Sequence, residues 1–531
     1  MINFKNKFLF LFLFIFFIFG SFNSLKNGIS MDEVYEDYNW KLQKKIALNA
    51  INHFVFNKKF EDRYQKEFES GYLGYGIGFQ IISQPIQYFV KNFLNNDSSL
   101  DDQAKVILSK HFVVFLFFFI SGIFFYLILR KIIDNEIFCS LSLIIYLTYP
   151  YLLGQSLFSP KDSPFMSIWL ICTYFNFFVF EKLISKQNIK FSTLFIFSFL
   201  TAYLFSIRIA GILILIQYFI SLILFLNITN FNFIRFIKKY FKELIFFTLA
   251  LLICTFILNP PFWSNPLLVF DTIEVMSHYH NNVGTMTFGK VMYATDLPPT
   301  YLLIWLSVKL PILIIIGIFL LPFSEKKIFN NNKTSIFFGT LLLSTIIIPL
   351  LLILRQTHLY DEIRHIMFLL PLIFIISLVS VYKFSKKIFY FLSTLTICLF
   401  LIENIKINPY QYVWFNLPSR ALDLTNKFEL EYQGLGGREI SRYLQSFENQ
   451  ELCILANPIH GVKPFLNNTK FNCFDIWQKV DTDYPRPFLA VQTVRNLKKS
   501  MPYNCSLMFE TNFKLLFHKE EFTTGKLLLC K

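Results

Sequence analysis

Four short stretches gather the ionisable residues whose types could do chemistry in an otherwise hydrocarbon-rich chain. "SMDEVYEDYNW" carries Asp32, Glu33, Glu36 and Asp37, and "LFSPKDSPFM" carries Lys161 and Asp162. "SIRIAG" carries Arg208, and "RQTHLYDEIRHIM" carries Arg355, His358, Tyr360, Asp361, Glu362, Arg364 and His365. A carboxylate within hydrogen-bond reach of a hydroxyl can act as a general base. Arginine offers a permanently charged planar fork suited to phosphate. Together these groups suit a hydroxyl acceptor and a phosphate-bearing donor meeting at a membrane edge. Each also has a bland reading. The acidic cluster can be a solvated loop, and Arg208 can be salt-bridged inside a bundle. Asp162 or Ser163 can cap a helix that takes Pro164 in its first turn. Capping explains the acid but not Lys161, and ionisable groups at a membrane edge are costly enough to be functional candidates.

The elements that must position these residues are membrane helices. Of 531 residues, 54% are apolar, and the mean hydropathy is +0.48. The apolar residues form long runs, and about 20 of them cross the ~30 Å hydrocarbon core. Eleven helices are expected, near 7–24, 111–130, 137–153, 164–181, 191–206, 209–227, 243–258, 301–321, 336–354, 366–382 and 388–402. The fifth and sixth are nearly continuous, parted only at "SIRIAG". The 69 phenylalanines read as lipid-compatible filler rather than a stacking surface.

The net charge of +15 does not mark a nucleic-acid binder. The basic residues fall in short loops ("RKIIDNE", "EKLISKQNIK", "FIRFIKKYFKE", "SEKKIFNNNK", "KFSKK") and in the N-terminal "MINFKNK", all on one face. By the positive-inside rule that face is cytoplasmic. The opposite face then holds 25–110, 154–163, 207–208, 259–300, 355–365 and everything from 403. Lys161, Arg208, Arg355 and Arg364 are the basic residues of its short loops, against the rule. The first apolar run could be a cleaved signal peptide, but only "FGSFNS" follows it, so retention is expected.

From 403 the apolar runs shorten to strand length ("ELCILA", "FKLLFH", "KLLLC"), with Pro, Asn and Gly between them. A small α/β domain on the outer face is expected. Of eight cysteines, Cys139, Cys172, Cys254 and Cys398 sit in apolar runs. Cys453, Cys473, Cys505 and Cys530 are all in the tail, an even set suited to disulfides in an oxidising compartment, with the pairing open. His278 and His280 could ligate a metal, but their spacing places them on different faces of a helix.

In series, "MDEVYEDY", "YLLGQSLFSPKDSPFM", "SIRIAG", "NPPFWSNP", "LPPTYLLIWLSVKLP", "LYDEIRHIMF" and "NPYQYVWFN" resemble the GT-C superfamily of membrane glycosyltransferases. They are most similar to family 39, the protein-mannosyltransferase and aminoarabinose-transferase branch, and span most of residues 1–416. The resemblance implies an all-α polytopic membrane protein of about eleven helices, GT-C-like, with a small C-terminal α/β extracytoplasmic domain. Residues 1–402 would form the transferase domain, with outer-face loops 25–110 and 259–300, and 403–531 the periplasmic domain. It also implies transfer of a monosaccharide from a polyprenyl-phosphate-linked donor to a hydroxyl acceptor (a glycolipid, protein or envelope polymer) at the outer face of a bacterial inner membrane. Asp32 matches the catalytic base, Glu33 is its neighbour in the motif, and Asp162 matches the second-loop acid. Lys161, Arg208 and Arg364 become candidates for the donor phosphate, and Tyr35, Glu36, Tyr360 and His365 for substrate contact. Relatives differ over a bound divalent cation, so a metal is left open and no other cofactor is implied. The alternative is a lipid or solute transporter or flippase. Transporters place polar residues near the midplane on broken helices, often in repeated halves. Here the charges sit at one face and no repeat is visible.

Overall fold

The structure is a computed structural model that describes residues 7–56, 75–263, 265–279, 283–447, 451–467, 469–471, 473–476, 487–493 and 504–531. Among the described residues, eight helices are long and apolar enough to cross a membrane, from Lys7–Lys26 to Lys386–Lys406. Two bent helix pairs and the shorter apolar helix Phe191–Ile207 account for the remaining expected segments.

The differences from expectation have local causes. The second span is Asp102–Ile132, beginning well before position 111. Asp101 caps it by accepting from the Ala104 amide at 2.7 Å, and this first turn is too charged to read as membrane. The segment 301–321 is not one straight span, because Tyr301–Lys309 turns through 116° into Ile312–Ile328. Pro311 cannot donate to a helical ladder, and it forces Leu310 out of the helical region, to φ −68° and ψ 136°. Glu136–Thr148 bends by 59° into Pro150–Ser156 at Pro150 for the same reason. At "SIRIAG" the chain stays compact: Arg208 is extended, and a 3-10 turn, Ile209–Leu213, leads into Ile214–Ile228.

The helices are not equally buried. Phe241–Leu258 is buried over only 11% of its apolar window, so it lies at the rim of the bundle. Asp162–Ile184 and Arg364–Phe384 are buried over 78% and 89% and form its centre. Both central spans begin with a charged residue singled out above, Asp162 and Arg364. The candidate site therefore sits at one end of the two most enclosed helices.

Among its described residues, the loop between the first two spans forms the helices Glu33–Phe56 and Gly78–Leu94. The segment after Leu258 gives a short helix, Leu268–Ser277, and a hairpin of β1 (Gly284–Thr287) and β2 (Lys290–Tyr293). The tail builds a five-stranded mixed sheet from β3 (Cys453–Asn457), β4 (Phe474–Ile476), β5 (Phe488–Gln492), β6 (Cys505–Phe513) and β7 (Phe522–Cys530). Its order is β4-β3-β5-β7-β6. β3 runs parallel to β4 and β5, and the other pairs are antiparallel. "ELCILA" and "KLLLC" become strands, but "FKLLFH" does so only at Phe513. Beyond it the chain turns, burying Leu515 and leaving Phe517 exposed with φ +60°. The tail cysteines form two disulfides, Cys453–Cys473 and Cys505–Cys530. The first joins the start of β3 to the approach to β4, and the second closes β6 onto β7.

The tail is not a pendant. Arg438 donates to the Leu25 and Asn27 carbonyls, both at 2.8 Å. The Met31 amide donates to the Gln433 carbonyl at 2.7 Å, and His460 Nε2 faces the Met31 carbonyl at 3.1 Å. These contacts grip the stretch just ahead of Asp32.

Candidate functional site

Three ion pairs surround one cavity of about 370 Å³. Arg364 Nη1 donates to Asp32 Oδ2 at 2.8 Å, Lys161 Nζ to Glu36 Oε1 at 2.9 Å, and Arg208 pairs with Asp162. Asp32, Tyr35, Glu36, Lys161, Asp162 and Arg208 all line it, as do Tyr360 and Arg364. These residues come from four chain regions, and the fold brings all of them to one place. Each cation candidate is matched with a carboxylate, so the salt-bridged reading and the functional one describe the same contacts.

Asp162 does not cap the helix it begins. The cap position is Lys161, which makes no side-chain cap bond, and Ser163 is buried in the first turn. The Asp162 carboxylate turns instead to Arg208, in the extended break between two spans. Lys161 stands 3.7 Å from the centre of the Tyr75 ring. Its burial holds the ammonium below the usual lysine range, against the pull of Glu36. Burial, joined by neighbouring acidic groups, pushes the Tyr75 phenol upward. Gly76 sets this approach, because a Cβ there would lie 2.2 Å from the Ser206 carbonyl oxygen.

Glu33 does not join the cavity. It is fully buried, 2.6 Å from His111 Nε2, and its other oxygen accepts from the Ser30 amide at 2.7 Å. The sequence Ser30-Met31-Asp32-Glu33 fits the S-x-x-E capping box, in which the glutamate reaches back to the first residue's amide. That signal was present in the sequence and marks Glu33 as part of the turn that presents Asp32. The Asp32 side chain itself is 51% exposed.

The loop ahead of Arg364 is held in an uncommon shape. Asp361 and Glu362 have φ of +53° and +70°, a region costing about 1–2 kcal/mol per L-residue. Their amides donate to Thr285 Oγ1 at 2.9 Å and the Tyr301 hydroxyl oxygen at 3.1 Å. Glu362 meets Lys309 at 2.8 Å, both side chains fully buried, and burial pushes the Glu362 carboxyl up to about 8. The loop thereby sets Tyr360 and Arg364 on the cavity, with Arg364 Nη2 also 3.6 Å from Asp361. His365 packs edge-on against the Tyr360 ring at 4.5 Å. It lines a second cavity instead.

That second cavity, about 190 Å³, shares Tyr75, Lys161, Arg208, Tyr279 and Tyr360 with the first. Its other walls are largely apolar, among them Phe165, Ile212, Leu213, Ile273, Leu352 and Phe368. A polar chamber and an apolar one thus meet at a lysine and an arginine.

Sequence reasoning gave the tail no part here, yet Tyr432 and Gln433 line the polar cavity. Glu431 shapes their turn, accepting from the Gln433 and Gly434 amides at 2.7 and 2.6 Å and bonding Tyr412. Burial pushes its carboxyl up to about 7, against those hydrogen bonds. Among the described residues, no group of three or more His, Cys, Asp and Glu could hold a metal ion. His280 lies outside the described residues. His278 stands 3.6 Å from Glu274 and edge-on to His358, with ring centres 5.1 Å apart.

No family model and no curated protein matches the chain. Among solved structures it is similar to the crystal structure of ArnT from Cupriavidus metallidurans bound to undecaprenyl phosphate. The alignment covers 98% of this chain and 97% of that one, at 8% identity and a TM-score of 0.47. A likeness this slight assigns no residue.

Proposed function

We propose that the chain is a membrane glycosyltransferase moving a monosaccharide from a polyprenyl-phosphate donor to a hydroxyl acceptor. The observation that carries this reading is the shared wall of the two cavities. Lys161 and Arg208 stand where an apolar chamber suited to an isoprenoid chain meets a polar chamber suited to a sugar. A phosphate joining the two would lie against those cations, with Arg364 across the polar chamber. Asp32, half exposed on that chamber, takes the acceptor proton as the acceptor oxygen attacks the anomeric carbon. The anomeric carbon–oxygen bond to phosphate breaks, and polyprenyl phosphate leaves with one more negative charge. Phosphate is already a good leaving group, so positioning and charge stabilisation carry most of the work.

Asp162 orders Arg208, Glu36 orders Lys161, and Tyr35 and Tyr360 stand where a sugar would contact them. The site and the tail from 403 face outward from a bacterial inner membrane in this reading. The short-loop charges support that orientation, and the tail disulfides suit an oxidising compartment.

The test is release of polyprenyl phosphate by purified protein supplied with synthetic lipid-linked sugars and an envelope-lipid or protein extract as acceptor. Release is expected with at least one donor. No release from any donor, together with movement of lipid-linked sugar across proteoliposomes, would establish the transporter instead.

A further inference from the structure

At the other end of the bundle lies a cavity of about 480 Å³ that the transfer reaction does not use. Asp162, in the polar chamber, and Glu181, on this cavity, belong to the same helix, Asp162–Ile184. Their separation of nineteen residues corresponds to about 28 Å of helix. The cavity thus belongs to the opposite membrane face, where the short-loop lysines and arginines gather.

Three helix ends build it. Arg130 and Lys131 close Asp102–Ile132, Glu181 is in the last turn of Asp162–Ile184, and Lys333 is in the first turn of Asn332–Leu354. Lys131 and Lys333 pair with the same carboxylate, Glu181, one on each oxygen. One negative charge therefore serves two ammonium groups. Arg130 meets Asp134 at 2.7 Å, but Asp134 is 84% exposed, so water screens that pair and adds little. The charge of the cavity is a surplus of cation. Lys131 also has aromatic support, 5.2 Å from the Tyr174 ring centre and 5.4 Å from that of Phe178. Its side chain is only 12% exposed, and the ammonium lies between these rings and Glu181 on the cavity wall.

From this arrangement we infer that Arg130, Lys131 and Lys333 form a site for a phosphate group, presented by an anionic phospholipid headgroup at the face opposite the transfer site. A headgroup phosphate offers the second counter-charge that Glu181 alone does not supply. Basic recesses between helix ends at headgroup depth are suited to this chemistry. Glu181 is the internal competitor for the ligand, which separates this site from an ion pair that merely ties three helices together.

The experiment is a native mass-spectrometric titration of detergent-purified protein with dioleoylphosphatidylglycerol, dioleoylphosphatidylcholine and inorganic phosphate. Phosphatidylglycerol is expected to bind in preference to phosphatidylcholine. Lys131→Gln and Lys333→Gln should each weaken it about fivefold, and Glu181→Gln should tighten it by a similar factor. Binding of inorganic phosphate with the same dependence on these residues would support the site and assign free phosphate as the source. Equal affinity for the two lipids overturns the inference, as does Glu181→Gln weakening or leaving unchanged the binding of phosphatidylglycerol. If either lysine variant does not fold, Glu181→Gln still decides, because a purely structural pair predicts lost stability with no gain in lipid binding.

Discussion

Asp32 and Glu33 are adjacent carboxylates in opposite environments, one half exposed and one wholly buried, so removing their charges one at a time should lower turnover in both but stability in only one. Asp32→Asn keeps the shape and removes the proton acceptor. The Asp32 side chain is 51% exposed, and Arg364, itself 7% exposed, keeps a second counter-charge in Asp361 at 3.6 Å, so the lost pair should cost only about 1 kcal/mol. The variant should therefore fold with near-normal stability. Its transfer rate should fall by roughly 10²- to 10⁴-fold, the range for a lost general base, which is about 3–5 kcal/mol of barrier. Glu33→Gln removes a charge from a pair in which both side chains are wholly buried. A hydrogen bond to a charged group contributes about 1.5–3 kcal/mol, so a stability loss of about 2 kcal/mol is expected. Turnover also falls, because the capping turn that aims Asp32 loosens, and small misplacements can cost up to about 10²-fold.

Activity alone cannot separate the two residues; activity and stability together can. The assays are polyprenyl phosphate release and denaturation of the purified proteins in one detergent. A double-mutant cycle of Glu33→Gln with His111→Ala should show coupling, because the two side chains are in direct contact. Wild-type turnover in Asp32→Asn ends the assignment of the base. Full stability with lost turnover in Glu33→Gln moves the base to Glu33 and removes its structural role.

Lys309→Met removes the partner of the buried Glu362 carboxyl, and the stability it costs, up to about 3–5 kcal/mol for a fully ionised pair, should be largest above pH 8. Because burial already lifts Glu362 to about 8, the loss should shrink at pH 6, and adding Glu362→Gln should restore much of it; a pH-independent loss in denaturation assays would refute this. Glu431, lifted to about 7 from an ordinary 4.5, binds its proton more tightly in the folded state. Its contribution is present at acidic pH and is lost as pH rises through about 7, so the protection factors of the Gln433 and Gly434 amides, corrected for intrinsic base-catalysed exchange, should fall between pH 6 and 8. Glu431→Gln should flatten that dependence, and an unchanged profile would place the titration elsewhere.

Much of the membrane architecture was legible because hydrocarbon imposes its own length on a sequence. Runs of Phe, Ile and Leu have little alternative to spanning, and the observed helices fall close to the expected ones. The misplacements occurred where polar chemistry replaces hydropathy as the determinant. The Asp101 cap begins a helix in charged sequence, and Pro311 breaks one in apolar sequence. The site was legible by type but not by pairing. Arg364 and Asp32 lie 332 positions apart, and no local pattern reports such a contact. Lys309 and Glu403 were passed over because each stands inside or beside an apolar run. Their partners, Glu362 and Arg420, are visible only once the chain has folded.

The tail's contribution was hidden for a related reason. A turn such as Glu431–Gly434 carries no recognisable catalytic motif, and its value lies in what it grips. Residues 27–31 link the first span to Asp32 and have little regular structure of their own, yet a general base must be closely placed to act. Local hydrogen bonds within that link, such as the Gly28 amide to Asn27 Oδ1 at 2.9 Å, do not fix it against the other helices. Arg438, Gln433 and His460 do so from the tail, and His111 does so through Glu33 from the second span. The turn before Asp32 is thus gripped from two sides, one in the bundle and one in the tail. Gly28 allows the closest of these approaches, since a Cβ there would fall 2.2 Å from the Leu435 carbonyl oxygen. Placement of Asp32 is therefore a property of the assembled molecule, which is why a fold-wide packing defect and a lost carboxylate would both silence transfer while only the second leaves the protein stable.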